Sequence, residues 1–184
     1  MIHRITSACC LSHCVAWTVF PLVPRYKTAA NAGVIRYQPM STEQIQSDIA
    51  EFGWHFIHVF DPDEDLQDFS YSVGFEQTFK HPEVMIFGLP RESSHAIISE
   101  IAEDIKNGIT FKTDERLKNV IGGDFEVMFK PVAQAGFDSH LGAAQGFYNV
   151  PFRALVMFWP DKDNRLPFDA GCENTVQNEA LTIV

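Results

Sequence analysis

Between Pro82 and Gly88 the chain reads Glu-Val-Met-Ile-Phe, and Val84 through Phe87 leave no polar position on either face of a strand. Side chains alternate across a strand, so a run that is apolar on both faces belongs at the centre of a sheet. Pro82 pushes His81 toward extended backbone just ahead of it. The rest of the chain has to supply this strand's neighbours.

Two of them precede it. Trp54–Phe60 is rich in aromatic and β-branched residues and reads as a strand. Phe69–Phe75 reads as another, alternating Phe69, Tyr71, Val73 and Phe75 with Ser70, Ser72 and Gly74, so one face is bulky and the other nearly bare. No helix separates these first three strands, which favours antiparallel or mixed pairing. Later strands are expected at Ile109–Lys112, Phe125–Val132 and Phe152–Trp159. A capping box at Ser41-Thr42-Glu43-Gln44 opens a helix that Gly53 ends. Ile97, Ile98, Ile101, Ala102 and Ile105 repeat at helical spacing after Pro90, and Lys106-Asn107-Gly108 closes that helix. A third helix is expected over Phe137–Asn149. The expectation is an α+β fold: a single mixed or antiparallel sheet of about five or six strands with two or three packed helices. The Ile97–Ile105 helix is the expected cover of Ser70, Ser72 and Gly74, because small residues let backbones approach closely.

An apolar fraction of 46% and 16 phenylalanines suit a folded chain, and 184 residues suffice for one domain with a real core. The net charge of −10 is uneven. Residues 1–39 contain Arg4, Arg25, Lys27 and Arg36 and no acid, which leaves 24 acids against 10 bases beyond them, or −14. A body this acidic repels phosphate backbones and anionic membranes, which excludes nucleic acid as the expected partner. Cys172 is the one cysteine of that body, so no internal disulfide framework exists there and a reducing, cytoplasmic location is expected.

The first 39 residues look foreign to the rest. Ile5–Pro24 is uncharged between Arg4 and Arg25, but His13, Trp17 and Pro21 make it a poor membrane span. The basic start and Ala30-Asn31-Ala32 imitate a signal peptide, and a transit segment has the same acid-free composition. Met40, just before the capping box, offers an alternative start. Residues 1–39 are therefore expected to be an extension, whether an over-extended start or a targeting segment that makes the protein secreted or organellar. Residues 40–184 form a single domain with no expected membrane contact.

Chemistry-bearing motifs are sparse. Asp61, Asp63 and Asp65 imitate a calcium loop, but Leu66 and Ser72 stand where glycine and glutamate are required. His55 and His58, three apart on a strand, point to opposite faces and cannot share an ion. No metal and no cofactor are predicted. Ser70, Ser72 and Cys172 lack any nucleophile context, and Gly122-Gly123-Asp124 reads as a turn. One cluster remains: His81, Glu83, Tyr71 and Ser72 place a histidine and a carboxylate near a phenol and a hydroxyl, groups that perform acid–base work if they converge. Trp54, Trp159 and Asp161 are candidates for binding.

Several motifs occur together in order: Gly53-Trp54, Tyr71-Ser72-Val73-Gly74-Phe75, His81-Pro82-Glu83 running into Phe87-Gly88-Leu89, and Trp159-Pro160-Asp161 followed by Pro167. Over roughly residues 40–171 the chain resembles domain-of-unknown-function family 4262, a mostly bacterial family. It departs from the family pattern at Ser72, Phe75 and Phe168, where threonine, leucine and tryptophan are usual. The resemblance implies a small acidic bacterial domain and supplies no reaction. Two functional readings follow. The first is a module that binds a protein or a small molecule, with a homo-oligomer admitted. The alternative is an enzyme with its acid–base site around His81, Glu83, Tyr71 and Ser72. One variant of it is a flavin-binding split barrel, for which Lys80, Arg91 and Lys112 are the available cations.

Overall fold

The computed structural model describes residues 41–60 and 67–184. The expected targeting segment, the alternative start at Met40 and the Asp61–Asp65 loop lie outside the described residues. Helix α1 (Thr42–Phe52) opens where the capping box predicts, with Ser41 Oγ accepting from Gln44 N at 3.3 Å, and ends at Gly53 with φ of 89°. Strand β1 (His55–Val59) pairs antiparallel with β2 (Phe69–Val73), and β2 pairs antiparallel with β3 (Glu83–Phe87). Helix α3 (Arg91–Lys106) follows β3, after the short α2 (Phe75–Phe79) has joined β2 to it. Next come β4 (Arg116–Leu117), β5 (Val127–Pro131), α4 (Gln134–His140), α5 (Gly142–Tyr148) and β6 (Ala154–Phe158).

The sheet is a single mixed one in the order β1-β2-β3-β6-β5-β4, with β3 and β6 parallel at its centre. The all-apolar β3 run thus lies where its two buried faces require. Its order is linear, with β1 and β4 as edges, so these strands do not build the split barrel of the flavoprotein variant. The fold is α+β.

Each face has its own core. Phe69, Tyr71, Val73, Met85, Phe87, Val156 and Phe158 pack with Ile45 and Ile49 of α1, Leu141 and Ala144 at the α4–α5 corner, and Ala180 and Ile183 near the C-terminus. Val84, Ile86, Val127, Phe129, Leu155 and Met157 pack with Ile98, Ile101, Ala102 and Ile105 of α3. Ile98, Ile101 and Ala102 are essentially inaccessible, and each such isoleucine contributes about 1.5–3 kcal/mol by leaving water.

Five expectations need correction. Strand β2 stops at Val73 rather than Phe75, because Gly74 turns the chain with φ of +115° and Phe75 opens α2. Phe75 therefore packs in the α3-side core and not with Phe69, Tyr71 and Val73. Helix α3 does pack against β2, but Gly74 faces Ile49 of α1 and the Trp54 backbone instead. Residues 109–112 form no strand: Phe111 is buried against Phe129 at 5.0 Å, so its alternation reflects core packing. The third helix is two, broken at buried Leu141, whose φ of −106° and ψ of 27° leave the helical region. With the short α2, the described residues hold five α-helices where two or three were expected. No helix among the described residues is long and apolar enough to cross a membrane.

Candidate functional site

Strands β2 and β3 stay in register from Phe69↔Phe87 to Tyr71↔Met85 and then part. Ser72 fills the fork: its Oγ accepts from Val84 N at 3.0 Å and donates to Glu83 Oε2 at 2.5 Å. The other carboxylate oxygen of Glu83 accepts from Gly74 N at 3.1 Å, Glu76 N at 3.0 Å and the Tyr148 hydroxyl. Gly74 N also reaches Tyr148 Oη at 2.9 Å. Glu83 is thus the cap of α2, supplied from the next strand, because Gly74 has no side chain to cap with.

Ser72 and Glu83 are both 0% exposed. Burial pushes the Glu83 carboxyl up to about 7, against the opposing pull of its four donors. Tyr148 is pushed upward as well, by its own burial and by the adjacent carboxylate. A sealed carboxylate with all its near neighbours donating to it ties elements together; it offers a substrate no route of approach.

His81 has a different setting. Its Nδ1–H donates to the Pro82 carbonyl at 2.7 Å, which leaves Nε2 as the unprotonated acceptor of the neutral ring. Burial holds its pKa below the ordinary value, and Arg153 works in the same direction. Nε2 is buried and has no hydrogen-bond partner. The ring meets Phe111 edge-on at 5.9 Å.

His81 and Phe111 form part of the wall of an open pocket of about 580 Å³, within the usual range for small-molecule sites. It is built where α2 runs into β3, where α3 ends at Ile105–Gly108, and along Ile109–Thr113. Arg153, just ahead of β6, completes it. Lys80 and Lys112 both line it, whereas Arg91 lies at a separate, smaller pocket with Phe56 and His95.

The other candidates go elsewhere. Tyr71 lies in the core on the α1 side, where burial raises its hydroxyl to about 12. Trp54 is half-buried on the α3 side, edge-on to Phe75 at 5.5 Å. Trp159 Nε1 donates to Phe87 O at 2.9 Å, and its backbone N–H and C=O pair with the side-chain amide of buried Gln177 at 3.1 and 2.7 Å. Asp161 accepts from Asp163 N, Arg165 N and Glu173 N at 2.9, 3.0 and 3.0 Å, and these donors hold it below the usual carboxylate range. Asp161 thereby closes the Asp161–Arg165 turn and ties Glu173 to it. Asp161→Ala is expected to speed amide exchange at Asp163, Arg165 and Glu173 about tenfold while sparing Val84. Unchanged exchange at those three amides would remove this role.

The four acid–base candidates therefore divide: Ser72 and Glu83 bond to each other, His81 walls a pocket, and Tyr71 sits in the α1-side core. His55 bonds Asp48 at 2.6 Å and His58 bonds Ser70 at 2.9 Å, on opposite faces as their spacing requires. Among the described residues no group of three or more His, Cys, Asp or Glu side chains is placed to hold a metal ion. Tyr148 and Arg153 went unrecognised in the sequence. Tyr148 is 65 positions from Glu83, and no local pattern marks it. Arg153 had one usable signal, a cation abutting a buried strand in an acidic body. Neither a curated protein nor a solved structure matches the chain. The motifs that carry the site run from α1 to the turn after Asp161, and over residues 48–173 they match the model of the family described as Domain of unknown function (DUF4262), to which the chain belongs.

Proposed function

We propose that the domain is a binding module for a small molecule, held in the pocket between His81 and the Ile109–Thr113 segment. One observation carries this reading: an open hollow of about 580 Å³ has apolar side chains, Phe79, Ile105, Phe111 and Leu155, in its wall beside polar and charged ones. Ile109, 47% exposed, adds apolar surface to the same pocket. The acid–base reading draws less support, since its carboxylate and serine are sealed and its phenol lies in the α1-side core.

The test is a fragment screen by NMR on the isotopically labelled chain. Hits are expected to perturb the amides of His81, Phe111 and Leu155, and an Ile109→Trp variant, which fills the mouth, is expected to lose them at least tenfold. Hits that map elsewhere, or that survive Ile109→Trp unchanged, would overturn the proposal.

A further inference from the structure

The pocket differs in charge from the molecule around it. In a chain of net charge −10, its lining carries three cations, Lys80, Lys112 and Arg153, against one carboxylate, Glu115. The two lysines are held loosely by their existing partners. Lys112 lies 3.4 Å from Glu115, but both side chains are more than half exposed, where such pairs contribute little. Lys80 Nζ donates to the Gln77 carbonyl at 3.0 Å, which leaves its charge without an anion at that contact. Arg153 is the anchored one: it makes two hydrogen bonds to the Glu76 carboxylate, at 3.0 and 2.9 Å, and a third to the Lys80 carbonyl at 2.7 Å. Its guanidinium is thereby oriented, though 60% of its side chain still faces solvent.

Part of the remaining wall is apolar, beside the polar His81, Thr110 and Thr113. Phe79, Ile105, Phe111 and Leu155 line it, and Ile105, Phe111 and Leu155 are buried. A free inorganic anion would leave that surface wet, and a neutral apolar molecule would leave Lys80 with no anion and Lys112 with only its exposed contact to Glu115. A ligand with both features uses both walls.

Resting on the binding reading above, we propose that the pocket takes a small organic anion, a carboxylate or phosphate monoester on a compact apolar body. The charged end lies toward Lys80, Lys112 and Arg153, and the body against Phe111 and Leu155. Two lysines on exposed stems recognise charge rather than shape, so carboxylate and phosphate are both accepted at this end. The acidic surroundings repel anions at a distance, which makes the local cationic rim the step that selects them.

The experiment is calorimetric titration of the full 184-residue chain at low ionic strength with four probes of one shape: phenylacetate, phenyl phosphate, phenylacetamide and phenethylamine. One or both anions are expected to bind, at least tenfold tighter than the amide, with the ammonium weakest. Their ratio distinguishes a carboxylate site from a phosphate site. In the double variant Lys80→Gln/Lys112→Gln, affinity for the anions is expected to fall about tenfold, with the amide unchanged. Both side chains are exposed, so the fold does not depend on them. Amide binding equal to or tighter than the anions, or anion affinity unaffected in the double variant, overturns the anion proposal and leaves the binding module standing. Failure of all four probes together with an empty fragment screen overturns both.

Discussion

Glu83→Ala is expected to destabilise the domain by about 3–5 kcal/mol, the cost of removing the shared acceptor from several buried donors at once. Gly74 N keeps Tyr148 Oη as a partner, but Glu76 N and the Ser72 hydroxyl are left with none at this point. Glu83→Gln has a far smaller expected cost, about 1 kcal/mol. Its amide oxygen accepts from Gly74, Glu76 and Tyr148, and its Nε2–H donates to Ser72 Oγ; only the Ser72 proton must turn elsewhere. The pH dependence sharpens the contrast. The folded carboxyl titrates at about 7 and its ordinary value is 4.5, so the folded state holds this proton more tightly than the unfolded chain. Stability from Glu83 is therefore fully present below pH 4.5 and is lost as the pH rises through 7, by about 3 kcal/mol in all. His58, His81 and His95, all held below their ordinary values chiefly by burial, change stability in the opposite sense over an overlapping range. The diagnostic quantity is thus the difference between wild type and Glu83→Gln in urea unfolding across that range. Wild type is expected to lead at pH 4 and to lose its lead by pH 8. A difference that stays flat would show that Glu83 titrates in the folded state as it does in the unfolded chain.

The second large effect is expected at Gly74. Its φ of +115° disfavours any side chain, and a Cβ there would lie 2.9 Å from Ile49 Cγ1 and 3.0 Å from the Trp54 Cα. The isoleucine can shift, but the backbone atom cannot without moving the turn between α1 and β1. Gly74→Ala is expected to cost about 2–4 kcal/mol from backbone strain and overpacking together. It also displaces the N–H that Glu83 and Tyr148 share. Thermal unfolding measures the loss, and a variant that melts within about 2 °C of wild type would contradict this account.

What could be read from the residues alone follows from how far each interaction reaches. The β3 strand, α3 and the Ser41 cap were legible because their causes lie within a few positions: a run with no polar residue, a 3.6-residue period, a hydroxyl three residues before an amide. Helix α2 was not, because Gly74 ends one element and a carboxylate nine positions away caps the next. The strand expected at Ile109–Lys112 misled for a related reason, since Phe111 is apolar for the sake of Phe129 across the core. In the candidate site, Glu83 and Ser72 were recognisable as chemical groups, but not that they would be sealed. That depends on Tyr148 and on two strands parting. Trp159-Pro160-Asp161 was legible as a motif and proves to be a structural clasp: an indole to Phe87, a carboxylate to three amides.

The Glu83 clasp also bears on what binding at the neighbouring pocket would cost. Residues Gly74 to Glu83 leave the sheet and return to it, and one carboxylate holds both ends and the first turn by bonding Ser72, Gly74 and Glu76. Closing a loop of this size carries an entropic penalty, and here folding itself bears it. Phe79, Lys80, His81 and Pro82 ride on that closed loop as one side of the pocket. They are pre-organised before any ligand arrives, so association has little backbone freedom left to remove on that side, and affinity can come from modest contacts.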